Sequence, residues 1–317
     1  MYKLFMASIL LNTFIFAKNI TPVKSFHSIG FVNDFVINDN RLYVANDAGT
    51  IDIFDFKTTK IIDQISLPPL TSSLNKIIPA DILSVDYLNS KVLILSVGKN
   101  SYRNVWIYEN HTLKKIVGEE KKLTIKEARF IDDEKIIFST IGADIILYDT
   151  AEKYNLYNSQ ISHSAMQDFA LNFDKTNMVV SDESGVIKLI DVKSSKVLKS
   201  YPAMNLDNVF KVAYSNGVVL AAGQDRRIGV YPKNKKAYYI KSDFLVFCVG
   251  VSPSGKIGVY SSGEQSDMQL FNIKNKIHYD RLIGHKNLIN KITFISEKKL
   301  LSSERGNDIL YWELPSY

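Results

Sequence analysis

The sequence predicts an all-β fold, a seven-bladed β-propeller, and three observations carry that expectation. A fifteen-residue frame of strand, tight turn and strand recurs along the chain. Each copy is preceded by one more strand pattern, and the first six are followed by another. The copies are spaced by about forty residues, the period of a four-stranded propeller blade. Composition agrees: the 317 residues include 17 Tyr and 17 Phe with many Ile and Val, all strand formers. Gly and Pro number only 15 and 8, so Asn, Asp, Ser and Lys must make many of the turns.

The frame is clearest at residues 42–56, "LYVANDAGTIDIFDF". Leu42 and Val44 begin a strand, 46–49 form the turn, and Ile51 and Ile53 alternate before Phe54-Asp55. The same frame recurs at residues 136–150, 178–192, 219–233, 259–273 and 300–314. A further copy at 92–110 carries an insertion in its turn, residues 98–104, "GKNSYRN". The pairs that end the frames are Phe54-Asp55, Tyr108-Glu109, Tyr148-Asp149, Ile190-Asp191, Tyr231-Pro232, Phe271-Asn272 and Trp312-Glu313. Their second members are separated by 54, 40, 42, 41, 40 and 41 residues. A large residue there packs between sheets and a short polar one opens the next turn.

The seventh unit lacks a fourth strand because the chain stops at Tyr317. A spare strand pattern, "NITPVKSFHS", occupies residues 19–28, ahead of the first unit. In a closed ring it completes the last blade and leaves no open edge where the ends meet. Residues 1–17 read as a secretory signal peptide: Lys3, an apolar stretch over 4–16, then Ala17. A stretch of thirteen residues falls short of the roughly 20 a membrane span needs. Cleavage after Ala17 leaves residues 18–317 as one propeller domain in the periplasm; an uncleaved anchor is the alternative.

The net charge of +6 comes from basic residues scattered in ones and twos, which marks a solvated surface rather than a nucleic-acid footprint. Cys248 is the only cysteine, so internal disulfides and Cys-x-x-Cys-His haem sites are excluded. The histidines, His27, His111, His163, His278 and His285, have no metal-type spacing. His163 lies in "SHS", but no nucleophile elbow, P-loop or dinucleotide fingerprint accompanies it. The expectation is a monomeric protein without metal or cofactor that acts by binding rather than catalysis.

Two groups of residues are candidates for a partner-binding site. Aligning the first strands of the seven units brings Asp34, Asp81, Glu127, Asp168, Lys211, Cys248 and Lys291 to equivalent positions. First strands are innermost in a propeller, so these residues should ring the central channel, four acids facing Lys, Cys and Lys. Such a ring is either a hydrated channel mouth or a bipolar docking face for a protein or cation. The second candidate is the 98–104 insertion, whose Tyr102 and Arg103 are common interface anchors.

The units resemble WD repeats. Gly284-His285 is followed, 27 residues after the His, by Trp312-Glu313, similar to the Gly-His … Trp-Asp pattern of that family, and "VSPSGK" at 251–256 looks like its strand–loop signature. The family's hydrogen-bonded tetrad is otherwise mostly missing, with a turn Asp arguable only at Asp225. As a whole the chain resembles the NapL-type accessory proteins of bacterial periplasmic nitrate reductase systems. The signal peptide, seven degenerate units and Lys/Asn/Ile-rich composition carry that likeness. The resemblance implies a periplasmic role in assembly, maturation or electron supply to the reductase, without a cofactor of its own. Two other classes stand beside it: a general envelope or outer-membrane assembly scaffold, and a propeller hydrolase or oxidoreductase.

If residues 19–28 close the ring, deleting them from the mature protein lowers the unfolding temperature of the whole domain. Thermal unfolding followed by circular dichroism tests this, and an unchanged transition would contradict it.

Overall fold

The computed structural model describes residues 18–317 except Ser73, so the expected signal peptide, residues 1–17, lies outside the described residues. Among the described residues the fold is all β, with short 3-10 turns at Lys99–Ser101 and Glu119–Lys121. No helix among them is long and apolar enough to cross a membrane.

Seven antiparallel sheets follow one another in chain order. Blade 1 holds β3 (Val32–Asn38), β4 (Arg41–Asn46), β5 (Thr50–Asp55) and β6 (Ile61–Ser66). Blade 2 holds β9 (Ile82–Leu88), β10 (Lys91–Val97), β11 (Arg103–Glu109) and β12 (Thr112–Val117). Blade 3 holds β13 (Ile125–Phe130), β14 (Lys135–Thr140), β15 (Asp144–Asp149) and β16 (Tyr154–Gln160). Blade 4 holds β17 (Met166–Leu171), β18 (Asn177–Asp182), β19 (Ile187–Asp191) and β20 (Val197–Ser200). Blade 5 holds β21 (Val209–Ser215), β22 (Val218–Gly223), β23 (Arg227–Tyr231) and β24 (Tyr238–Lys241). Blade 6 holds β25 (Val249–Val251), β26 (Ile257–Ser262), β27 (Asp267–Asn272) and β28 (His278–Leu282). Blade 7 holds β29 (Ile289–Ser296), β30 (Lys299–Glu304) and β31 (Asp308–Glu313).

The fourth strand of blade 7 comes from the other end of the chain. β2 (Lys24–His27) pairs antiparallel with β31, Lys24 opposite Tyr311 and His27 opposite Asp308. The segment does more than the sequence suggested. Just before it, β1 (Asn19–Ile20) lies parallel on the outside of β28, Asn19 opposite Arg281. Residues 19–27 therefore bridge blades 6 and 7 before the chain enters blade 1.

Second and third strands bury both faces, as in "KIIFST" of β14, because each blade is packed between two others. The outer strands are open to solvent, and all of β20 is exposed. Where the chain's ends meet, Phe26, Phe35, Val44 and Phe54 form one cluster with Leu301, Ile309 and Tyr311. Phe26 is fully buried, with its ring edge-on to Phe54 at 5.6 Å.

The 98–104 insertion accounts for only part of the long step between units 1 and 2. Most of it lies earlier: fifteen residues connect β6 to β9, against four to eight in the other blade connections. They carry an added hairpin, β7 (Leu70–Thr71) with β8 (Ile77–Ile78). The tetrad, expected to be mostly missing, is complete in blade 7. Trp312 Nε1 donates to Ser302 Oγ at 2.8 Å, Ser302 Oγ lies 2.7 Å from His285 Nε2, and His285 Nδ1 lies 2.9 Å from Glu304 Oε2. Glu304 stands in for the turn Asp, and its extra methylene lets it reach from the last residue of β30. Blade 2 keeps half of the set, Trp106 Nε1 to Ser96 Oγ at 3.0 Å. Blades 1, 4 and 5 substitute pairs between the incoming loop and strand or turn residues: Ser28–Asp52 at 2.7 Å, Ser162–Asp182 at 2.6 Å and Asn205–Asp225 at 3.1 Å. Polar bonds therefore tie most incoming loops to their blades, although most of the tetrads are missing.

Phe26→Ala removes a buried ring from the cluster that joins the chain's ends, and should cost about 3–5 kcal/mol. Chemical denaturation checks this; a loss below about 1 kcal/mol would show that β2 is not needed for closure.

Candidate functional site

Every first strand except β25 carries a register shift near its start, between Val32 and Asp34 in blade 1 and between Ile289 and Lys291 in blade 7, for example. A β-bulge of this kind re-aims side chains. Three of the bulged residues bond the next blade. Asn33 donates to the Ile82 carbonyl at 2.9 Å, Lys126 to that of Met166 at 2.8 Å, and Asn290 to that of Val32 at 2.7 Å. Ile82, Met166 and Val32 are equivalent positions, so this is one device used three times.

The residue after each bulge lines the channel. By pairing these are Asp34, Ser84, Glu127, Asp168, Lys211 and Lys291, with Cys248 at the same place in blade 6. Six of the seven expected residues are there. Asp81 is not: it precedes β9, and Ser84 takes its place. The sequence alignment placed blade 2 three residues too early because it took the acid ahead of the apolar run as the lining residue, and in blade 2 that position is a serine inside the strand.

These side chains also clasp neighbouring blades. Asp34 accepts from the Val85 N–H at 3.0 Å, Ser84 from Ala128 at 3.3 Å and Asp168 from Val212 at 2.9 Å. In each case the donor follows the lining residue of the next blade. The N–H of Ile292 approaches the Cys248 sulfur in the same way, and burial pushes that thiol's pKa up to about 12.

The charges are paired internally. Lys291 Nζ lies 2.6 Å from Asp34 Oδ1, and Lys211 Nζ lies 2.8 Å from Asp168 Oδ1. Arg129, which the sequence reading missed, reaches from blade 3 past blade 2 to Asp34 at 3.0 Å while holding Glu127 at 2.7 Å. Ser84 is small enough to let it pass. Arg129 lies two residues beyond Glu127 on the same strand, hence on the same face, which is the signal that could have found it. Burial works to raise the Asp34 pKa, but Arg129 and Lys291 outweigh it and hold the carboxyl well below the usual range. Burial likewise opposes the charge on Arg129, and Asp34, Glu127 and Asp86 more than compensate. Glu127 goes the other way: burial raises its pKa, Arg129 counters only in part, and Asp168 and Asp34 add to the rise. Three acids thus meet three bases, and each of Asp34, Glu127 and Asp168 lies within 3.0 Å of a cation. Among the described residues no group of three or more His, Cys, Asp or Glu is arranged to hold a metal ion.

Asp81 belongs to a second constellation, on the face where loops lead into the first strands. Asn33 Nδ2 donates to Asp81 Oδ1 at 2.6 Å. Burial raises the Asp81 pKa, Asn33 opposes that, Asp47 adds to it and Arg103 opposes it. Arg103 folds back on its own loop and donates to the carbonyls of Ser101 and Tyr102. Tyr102 is half-buried beside it. On the same side, residues 28–31 and 67–80 flank the turn at Asp47–Gly49. Phe31 N–H donates to Asp47 Oδ1 at 2.7 Å, and Leu67 N–H to the Gly49 carbonyl at 3.0 Å. Gly49, at φ 77°, lies so close to Ala80 that a Cβ would sit 3.1 Å from its nitrogen. These two segments hold out apolar side chains: Leu74 is 77% exposed, Ile77 78%, Phe31 58% and Ile29 53%.

The chain is similar to the β-propeller domain of Cps50 (Swd1) from Myceliophteria thermophila, known from a crystal structure. The TM-score is 0.71 over 93% of this chain and 99% of that one, at 12% sequence identity. At that identity the likeness is one of fold, and it makes this chain a seven-bladed β-propeller resembling a WD40 propeller. No model of a known protein family matches the chain. No curated protein matches it either.

Removing Arg129 leaves two buried carboxylates facing each other, so Arg129→Ala should cost about 3–5 kcal/mol. Glu127→Gln should cost less than Arg129→Ala, because burial and the neighbouring Asp168 and Asp34 already penalise a charge at that position. Acid should separate the network further. Glu304 is held at about 2, since donors from His285, Asn287 and the Lys286 and Asn287 amides outweigh its burial. A depressed carboxyl contributes stability above its unfolded pKa and loses it as pH falls through the folded one. Stability should therefore decline below about pH 4.5, and Glu304→Gln should flatten the decline in a pH series of denaturant midpoints.

Proposed function

We propose that the protein is an exported, non-enzymatic interaction platform supporting a periplasmic nitrate reductase system, and that it grips its partner with the loop face of blades 1 and 2. The observation that carries the contact surface is the added hairpin. Leu74 and Ile77 are largely exposed, and Ile29 and Phe31 are exposed on the other segment that flanks the Asp47–Gly49 turn. Exposed apolar side chains gathered on one face are what a protein interface buries. Asp81, Asp47, Arg103 and Tyr102 give that surface a polar border that can set orientation. The central ring takes the structural role, since its charges answer one another. The same pairing supports binding over hydrolysis or redox chemistry, because the channel carboxylates are committed to internal cations. Support for the nitrate reductase system comes from the whole-chain resemblance, and support for export from the signal-like residues 1–17.

Affinity capture with crosslinking from the periplasm of nitrate-respiring cells tests the reading. Recovery of the reductase catalytic subunit or its electron donors, crosslinked to residues 70–81 or 98–104, is the expected result. Recovery of outer-membrane assembly factors instead would favour the scaffold role. Replacing both Leu74 and Ile77 with Asp should lower partner recovery at least about tenfold, the equivalent of ~1.4 kcal/mol, without moving the thermal transition. Undiminished recovery would place the interface elsewhere.

A further inference from the structure

Both ends of the described chain converge on β28. The Lys18 backbone N–H donates to Asp280 Oδ1 at 2.7 Å, and the Lys18 carbonyl accepts from Arg281 N–H at 2.9 Å. From the other end, the Tyr317 hydroxyl donates to Asp280 Oδ2 at 3.0 Å. The Tyr317 ring stacks on Tyr279 at 4.2 Å with 4° between planes. Asp280 is 8% exposed. Among the described residues no Lys, Arg or His side chain forms an ion pair with it. A buried carboxylate calls for a cation, and two neutral donors do not supply one.

The atom nearest Asp280 Oδ1 is the one that becomes a cation if the chain is cut before it. An amide at Lys18 offers one N–H and no charge; an α-ammonium offers three donors and a full positive charge. We propose that the Ala17–Lys18 bond is a processing site, and that Asp280, with Tyr317 beside it, is the receptor for the new α-ammonium. The proposal rests on the export reading. The step is hydrolysis by a leader endopeptidase of the exporting cell. The Ala17 C–N bond breaks, water oxygen joins the Ala17 carbonyl carbon to give a carboxylate, and the Lys18 nitrogen takes up protons to become –NH₃⁺. The product then docks without moving β1, because its carbonyl and Ile20 already pair with Arg281 and Ile283.

Two forms of the domain test the receptor. One begins at Lys18, released from a fusion by a protease that leaves no extra residue; the other carries a Gly-Ser-Gly-Ser extension. The Lys18 form should unfold at least about 2 °C higher at pH 7. An α-amino group has an unfolded pKa of about 7.7–8.0, and an anionic partner raises it on folding. Its contribution is therefore full below that pH and is lost as pH rises through the folded pKa, so the gap between the two forms should close by about pH 10. Asp280→Asn should abolish the gap at pH 7. Equal transitions in the two wild-type forms, or a gap that survives Asp280→Asn, would overturn the receptor. Intact mass of the protein from its own cells tests the cut, with a chain beginning at Lys18 expected. An exported chain beginning elsewhere overturns this proposal alone; an uncleaved chain retained in the cytoplasm overturns it together with the export reading.

Discussion

Everything in this molecule depends on ring closure. A blade has two apolar faces, and neither can be buried unless a neighbour stands on each side. Six of the junctions are made by chain continuity. The seventh must be made by strands that begin and end the fold, and it is made by β2 lying on β31. The cluster behind that pairing draws Phe26 and Phe35 from one end and Ile309 and Tyr311 from the other. Without it blades 1 and 7 would each expose an apolar face, and the loss would spread around the ring.

Closure is reinforced near the axis by polar bonds that all solve the same problem. Inner strands converge, so their bulges and lining residues come close enough to bond the next blade's backbone. Asn33, Lys126 and Asn290 supply donors; Asp34, Ser84, Asp168 and Cys248 supply acceptors. An acid accepting a backbone N–H there keeps its charge, and the charge requires a cation. Lys291, Lys211 and Arg129 follow from that need. The ring is thus a consequence of clasping the blades, whereas the hairpin between blades 1 and 2 packs inward through Leu70 and leaves Leu74 and Ile77 exposed.

Strands and blades were legible because their signals are periodic: alternation along 42–56, and turns that return at near-constant steps. The spare strand was legible because a blade count leaves one place unfilled. What escaped detection was irregular. Ser84 lines the channel in blade 2, three residues after Asp81, and a small serine within an apolar strand gives no signal beside an acid just ahead of it. The Glu304 tetrad was hidden because the carboxylate comes from the end of β30 rather than from the turn, as a Glu where the family has Asp. The β7–β8 hairpin was visible only as an excess in the first step, and its Leu-, Ile- and Pro-containing residues resemble the strands around them. Arg129 was one strand period from a named residue, yet its partner Asp34 lies two blades away, a distance that no local reading spans.

The pairing of β2 with β31 also orders events in time. His27 and Asp308, opposite each other in the finished sheet, are 281 residues apart. As the chain is made from its N-terminus, β2 arrives first and has no partner until the last strand follows it. Blade 1 must wait with it, holding an uncovered face and an unpaired strand that could template wrong contacts. Interior blades can collapse early on local hairpins, but the cooperative barrier belongs to a long-range contact, which makes folding slow and late. A ring that needs its first strand last is therefore most exposed to aggregation just before it is complete.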